Sequence, residues 1–287
     1  MSVRVEAGSV FALLALAGWR HKRNETSLCV GARTGVAMRL SSGGLDQLRE
    51  RLAVSDWAVL DSLSRLRLAT AGQLRRLHWD EAGPSRTARR RLNRWSELRV
   101  IARLERRIGG VRSGSDGFVY ALDVVGQRLL GSVAGRAPDS FGRAFLKHRL
   151  AVTEIYVSCV EAERTGTLKL IEFAAEPDCW RPSALGTLKP DAYVALASGE
   201  FEHYGFIEVD CATEATTTLS AKAAAYQRYY QTSIEQARLG LFPQVIWAVP
   251  TDHRLAQIVD VLARLPPESW RLHRMLRLDQ VPERLVN

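Results

Sequence analysis

The sequence predicts a mixed α/β (α+β) chain with two folded modules. A small, helical, basic module closed by a β-hairpin precedes a larger core with the element order α-β-β-β-α-β. Leucines and tryptophans recur at helical spacing from about Asp46 to Leu98, and two short strand patterns follow. After a Gly/Ser/Pro-rich stretch, long helical segments alternate with short apolar runs, as in α/β architectures. The charge divides in the same way: the net charge is +9, but residues 51–150 carry +11, residues 1–50 carry +3 and residues 151–287 carry −5. A basic block beside an acidic one points to a polyanion-binding module joined to a region with different work, and nucleic acid is the leading partner class.

The 287 residues suggest roughly two domains, and 46% hydrophobic with 25% charged residues is the composition of a globular protein, not a disordered one. The longest apolar run, Val10–Trp19, is about half of the ~20 residues a bilayer span needs, and basic residues follow it where a leader would have a cleavage site. No membrane partner and no secretory leader are expected. The four cysteines (Cys29, Cys159, Cys179, Cys211) form no CxxC pair, which argues against a zinc ribbon or a disulfide framework and for a cytoplasmic location.

Residues 1–45 show no sustained period and are read as an N-terminal extension. The first module spans residues 46–125. Leu48, Leu52, Trp57, Leu60, Leu63 and Leu66 mark helix, a second short helix starting at Ala69–Ala71 carries Leu74 and Leu77, and Gly83-Pro84-Ser85 starts a third. The third helix, Ser85–Leu98, puts Ala88, Leu92 and Trp95 on a core stripe and Arg86, Arg89, Arg90, Asn93 and Arg94 on the opposite face. Strands Val100–Ile108 and Phe118–Leu122 enclose a glycine-rich loop bearing Arg112. This order is that of a winged helix-turn-helix. Its exposed arginines suit guanine edges and phosphates, and Asn93 suits adenine, so Arg86, Arg89, Arg90, Asn93, Arg94 and Arg112 are the candidate DNA-binding residues.

Residues 126–140 read as a linker, and residues 141–287 as the second domain. There, a helix at Phe141–Arg164 leads to strands near Leu168–Ala174, Ala192–Ala197 and Tyr204–Cys211. A helix Ala215–Ile234, a strand Gln244–Val249, a helix Arg254–Leu265 and a last strand near Trp270–Met275 follow. Pro190-Asp191 stands at the entry to one strand and Glu208-Val209-Asp210 in the next. Residues i and i+2 of a strand share a face, so Glu208 and Asp210 point together and a paired neighbour brings Asp191 beside them. Three converging carboxylates call for a counter-charge, and Mg²⁺ or Mn²⁺ is the expected one. Asp191, Glu208 and Asp210 are therefore the candidate catalytic and metal-binding residues. A structural network with Lys222 or Arg228 is the competing use of the same acids.

This spacing resembles the PD-(D/E)xK nuclease superfamily, whose restriction-endonuclease-like core has the same α-β-β-β-α-β order. Asp210 stands where that superfamily has its lysine. Lys222 on the following helix is the nearest replacement, and Glu154 on the first helix is a candidate extra acid. Together with the winged helix, the run IEVDCATEATTTLSAKAAAYQRYY and the segment His148–Tyr156 resemble the replication-relaxation family of plasmid and mobile-element proteins, related to the C class of mobilisation relaxases. The resemblance implies DNA processing in conjugative transfer or replication, with a PD…ExE-like motif that here reads ExD.

Thr213 and Glu214 are expected to start the next helix, and Tyr226, Tyr229 and Tyr230 to pack rather than attack DNA. The six histidines are scattered, with no His-x-His pair, and no GxxxxGK[ST] loop supports an ATP-driven motor. Two functions are carried forward. One is a metal-dependent nicking endonuclease or relaxase, which would work with other transfer or replication proteins and could be a homodimer. The other is a non-catalytic DNA-binding accessory or transcriptional regulator.

Overall fold

The leucine-rich segment from Asp46 folds as two helices, α1 (Ser42–Arg51) and α2 (Val54–Leu66). Asp56 fixes the break, because its carboxylate accepts the Ala53 N–H at 2.9 Å in the first turn of α2. The computed structural model describes residues 42–79, 85–107, 117–132, 137–138, 141–212 and 214–286. Strand β1 (Ala69–Thr70) runs into α3 (Ala71–His78), which starts with a reciprocal cap: Thr70 Oγ1 accepts the Gln73 N–H and Gln73 Oε1 accepts the Thr70 N–H. Helix α4 (Ser85–Glu97) buries Ala88, Leu92 and Trp95, the stripe its spacing predicts. Strands β2 (Ile101–Arg107) and β3 (Phe118–Leu122) pair antiparallel, and β1 joins the other side of β3. The loop bearing Arg112 lies outside the described residues, as do residues 1–41.

The stretch read as a linker begins differently. Its first residues belong to helix α5 (Val124–Leu129), which Asp123 caps by accepting the Val124 N–H at 2.7 Å. Val125 and Leu129 are buried with Leu60, Leu92 and Trp95. A Cβ on Gly126 would lie 2.1 Å from the Val100 carbonyl oxygen, so this glycine serves close packing, not chain flexibility.

The second module opens with α6 (Arg143–Arg164) and β4 (Lys169–Ala175). A separate two-stranded hairpin follows, β5 (Arg181–Ser183) and β6 (Gly186–Leu188), then β7 (Ala192–Ser198) and β8 (Phe201–Val209). Helices α7 (Thr216–Tyr230) and α8 (Ile234–Leu239) lead to β9 (Gln244–Val249), α9 (Asp252–Leu262), α10 (Pro267–Trp270), β10 (His273–Arg277), a 3-10 turn at Leu278–Gln280 and α11 (Val281–Leu285). The expected order is present, with the β5–β6 hairpin and α8 added. The five-stranded sheet runs β10-β9-β8-β7-β4, antiparallel among β4, β7 and β8 and parallel from β8 through β10. Alternation along β8 sends Ile207 and Val209 into the layer with Val152 and Ile155 of α6, and Phe206 into the opposite layer with Tyr226 and Ile258. Glu208 therefore faces the α7 side.

The two modules share their interior. Leu66 and Leu77 belong to the same buried cluster as the α6 face of the sheet, and Leu68, Val119 and Ala121 pack with Leu146 and Leu150 of α6. Polar groups follow the apolar ones across this seam: Thr153 Oγ1 donates to the Leu68 carbonyl at 2.7 Å and Gln73 Nε2 to the Leu150 carbonyl at 3.0 Å. Arg149, 1% exposed, reaches Glu176 at 2.7 Å and the Leu66 carbonyl at 3.4 Å. Helix α6 is thus a wall common to both. No described helix is long and apolar enough to cross a membrane.

Candidate functional site

Two charged assemblies stand out, and the first is the outer face of α4. Arg86, Arg89, Arg90, Asn93 and Arg94 are all exposed and line one surface depression, with Glu97 at its end. None of the four arginines forms an ion pair with a described carboxylate. Arg91, on the flank, behaves differently: its guanidinium bonds Asp56 at 2.7 Å and Ser55 at 2.8 Å, which ties α4 to the start of α2. Arg94 also lies over the Trp95 ring, 5.8 Å from its centroid.

The second assembly gathers where β7 begins and β8 ends. Antiparallel pairing of Ala192 with Ile207 sets Asp191 beside the end of β8, where its Oδ2 accepts the Val209 N–H at 2.7 Å. Its Oδ1 lies 3.2 Å from His148 Nε2 on α6, and this hydrogen bond holds the His148 pKa above its ordinary value despite burial. Glu208, 2% exposed, accepts a 2.6 Å hydrogen bond from the Tyr226 hydroxyl on Oε1. Its Oε2 has no aligned hydrogen-bond donor and takes its compensation from the Lys222 ammonium, 2.8 Å away. Burial first, then repulsion from Asp191, pushes the Glu208 carboxyl up to about 7. Burial opposes the charge on Lys222, but attraction to Glu208 and Asp191 outweighs it and holds the lysine above its usual value. Lys222 also bonds Glu214 Oε1 at 2.7 Å.

Several expectations need correction at this point. Asp210 is not open to share a cation with Glu208: β8 ends at Val209, and the Asp210 carboxylate is gripped at 2.6 Å by Arg254 of α9. Arg254 also donates to the Glu214 carbonyl at 2.6 Å, closing the space between β8 and α9. Glu154 is no extra acid of the cluster. It accepts from Gln73 and pairs with Arg76 on the seam with α3, and Glu161 holds the same arginine. Glu214 is no first-turn acid of α7, which starts at Thr216 after the N-cap Ala215; it is a counter-ion for Lys222. Thr213 lies outside the described residues. Tyr226 is buried as packing predicts, yet its hydroxyl is also a donor to the cluster. Tyr229 likewise donates to Glu235.

His148 and Tyr226 are the members that sequence reasoning missed. The only signal for His148 is a faint one, its place in the segment of resemblance on α6. Lys222 is brought to Glu208, as the search for a displaced lysine anticipates. A magnesium or manganese ion wants several oxygen ligands that are free to turn toward it. Here both Asp191 oxygens, Glu208 Oε1 and the Asp210 carboxylate already face internal donors, and Glu208 Oε2, without an aligned donor, is taken up by the Lys222 ammonium. Among the described residues no group of three or more His, Cys, Asp or Glu side chains is arranged to hold a metal ion. As folded, the donor set does not fit the ion that the spacing predicts. Cysteine chemistry is no substitute, because burial pushes the Cys159 and Cys179 thiols up to about 12.

No curated protein and no solved structure matches this chain. The replication-relaxation family model matches residues 60–245, from the middle of α2 into β9, and so takes in α4 and the whole acidic cluster. With well over half of its length matched, the chain belongs to the replication-relaxation family.

Proposed function

We propose that this chain is a double-stranded DNA-binding protein of plasmid or mobile-element replication or transfer. In this reading the first module is a winged helix-turn-helix, α4 is its reading helix, and the nuclease-like core is a scaffold that docks other replication or transfer proteins. The observation that carries it is the outer face of α4, where four arginines and an asparagine line one depression with no ion pair to a carboxylate among the described residues. Exposed cations left unpaired are what a phosphate backbone needs, and arginine with asparagine can read base edges in the major groove. The core favours a scaffold because its carboxylates are buried and compensated by Lys222, Arg254, His148 and Tyr226.

One observation favours the second reading, metal-dependent nicking: Lys222 reaches Glu208 and thereby restores an acid–lysine pairing from a helix in place of the strand. Cutting through that group would require Glu208 to exchange its lysine partner for a metal ion. A supercoiled plasmid carrying the element's own flanking DNA separates the two, assayed with Mg²⁺ or Mn²⁺ against EDTA beside Glu208→Ala. Salt-sensitive binding without cutting is expected. Metal-dependent relaxation that disappears in the variant would replace the scaffold reading by the nicking one.

A further inference from the structure

Helix α4 turns about 100° per residue, so its outer side chains do not all face the same way. Buried Ala88, Leu92 and Trp95 fix the inward direction. Opposite them, Arg86, Arg90, Asn93 and Glu97 fall within a sector of roughly 60°, and Arg89 and Arg94 lie about 40° beyond its two edges. The sector runs about 16 Å along the helix, so its four side chains meet successive base pairs when the helix lies in a major groove. The two flanking arginines then face the phosphate strands that border the groove. Glu97 is the member that this arrangement does not explain. It is exposed and lines the same depression as the arginines, yet its carboxylate makes no ion pair or hydrogen bond with a described residue. Arg94, three residues before it, lies over the Trp95 ring instead. Glu97 also ends the helix, where the carbonyl dipoles disfavour negative charge, and a carboxylate repels phosphate. Neither helix stability nor backbone binding therefore accounts for an acid at this place.

We infer that Glu97 is a specificity-determining residue of the α4 face, accepting a hydrogen bond from the N4 amino group of a cytosine, while Arg89 and Arg94 hold the flanking phosphates. The inference rests on the DNA-binding reading above and names what that surface reads. Cytosine is the matching base because its major-groove edge offers a donor alone, and an ionised carboxylate offers acceptors alone. Adenine sets its amino donor beside the N7 acceptor, which repels the second carboxylate oxygen. Guanine and thymine present no donor in the major groove, so Glu97 rejects both. The acid thus discriminates where the arginines beside it supply attraction.

The test uses the full chain and selection from a randomised duplex library, followed by Kd measurements on single-base variants of the selected site. Wild-type protein is expected to prefer cytosine at one position by about tenfold. Glu97→Ala is expected to lose that preference and keep those at the other positions, and Glu97→Gln to move it toward adenine, whose N6 and N7 a carboxamide matches. Arg89→Gln and Arg94→Gln are expected to weaken binding to all sequences alike and to flatten its salt dependence by about one unit of log–log slope each. Glu97 is exposed at the end of its helix, so replacing it leaves the packing intact. Wild-type binding in which no position prefers cytosine, or a cytosine preference that Glu97→Ala leaves unchanged, overturns the assignment alone. Absence of any wild-type binding to duplex DNA overturns the DNA reading and the assignment with it.

Discussion

The outer face of α4 and the acidic cluster at the ends of β7 and β8 hold charge in opposite conditions. On α4 the arginines stand in water and have no carboxylate partner among the described residues. In the cluster, Asp191, Glu208 and Asp210 are each less than a tenth exposed, and each faces a donor from another element. Water stabilises an isolated cation well enough for it to wait for an external polyanion. Burial removes that solvation, so a buried carboxylate persists only with an internal partner. Residue type therefore says little about availability to a ligand. Pairing says more, and by that criterion the cations of the α4 face are available to a ligand while the carboxylates of the cluster are not.

The largest effect should come from breaking a buried pair. Arg254→Met leaves Asp210 without its counter-charge and is expected to cost about 3–5 kcal/mol in urea unfolding. Adding Asp210→Asn should restore most of that loss, because the charge needing compensation is then gone. A loss below about 1 kcal/mol would mean that water reaches Asp210, and the contrast with α4 would fail.

A smaller effect separates two arginines of one helix. Arg90, exposed and without an ion pair among the described residues, should lower DNA affinity when replaced by alanine, by roughly 1–3 kcal/mol if it meets a base edge, with stability unchanged within about 0.5 kcal/mol. Arg91→Ala should do the reverse. It removes the counter-charge of Asp56, whose side chain is 5% exposed and keeps the Ala53 N–H, and costs about 1–3 kcal/mol of stability while the salt slope of DNA binding stays near the wild-type value. Equal effects of the two substitutions on binding would show that pairing does not sort structural from ligand-facing cations in this helix.

The same rule explains what can be read from the sequence. The α4 face is legible because helical periodicity fixes both its buried stripe and its outer residues. Asp191 and Glu208 are legible because strand alternation and local pairing bring them together. The partner of Asp210 is not, since Arg254 lies 44 residues away and only the β8–β9 pairing delivers α9 to that place. Glu154 is misplaced for a similar reason: Arg76 and Gln73 come from the first module, across a seam that no local pattern announces. Composition misleads at Gly126, where glycine marks close contact with Val100 and not a linker. The β5–β6 hairpin escapes because three-residue strands carry too little alternation to register.

The smallest effect concerns the cost of charge within the cluster. Glu208 titrates near 7 in the folded protein and near its ordinary 4.5 when unfolded, so between those values the native state holds a proton that the unfolded chain has released. By linkage, this group makes stability fall as pH rises through that window, and the loss is complete above the folded value. Glu208→Gln fixes the neutral form and keeps the shape. Between about pH 6 and pH 8 only the last stage of the titration remains, so the wild type should lose on the order of 1 kcal/mol relative to the variant. Taking the difference between the two proteins cancels His78 and His273, whose buried rings are lowered to about 4 and act in the opposite sense on the acid side. A difference that stays flat with pH would mean that Lys222 fully neutralises Glu208, and that burial imposes no residual cost on the cluster.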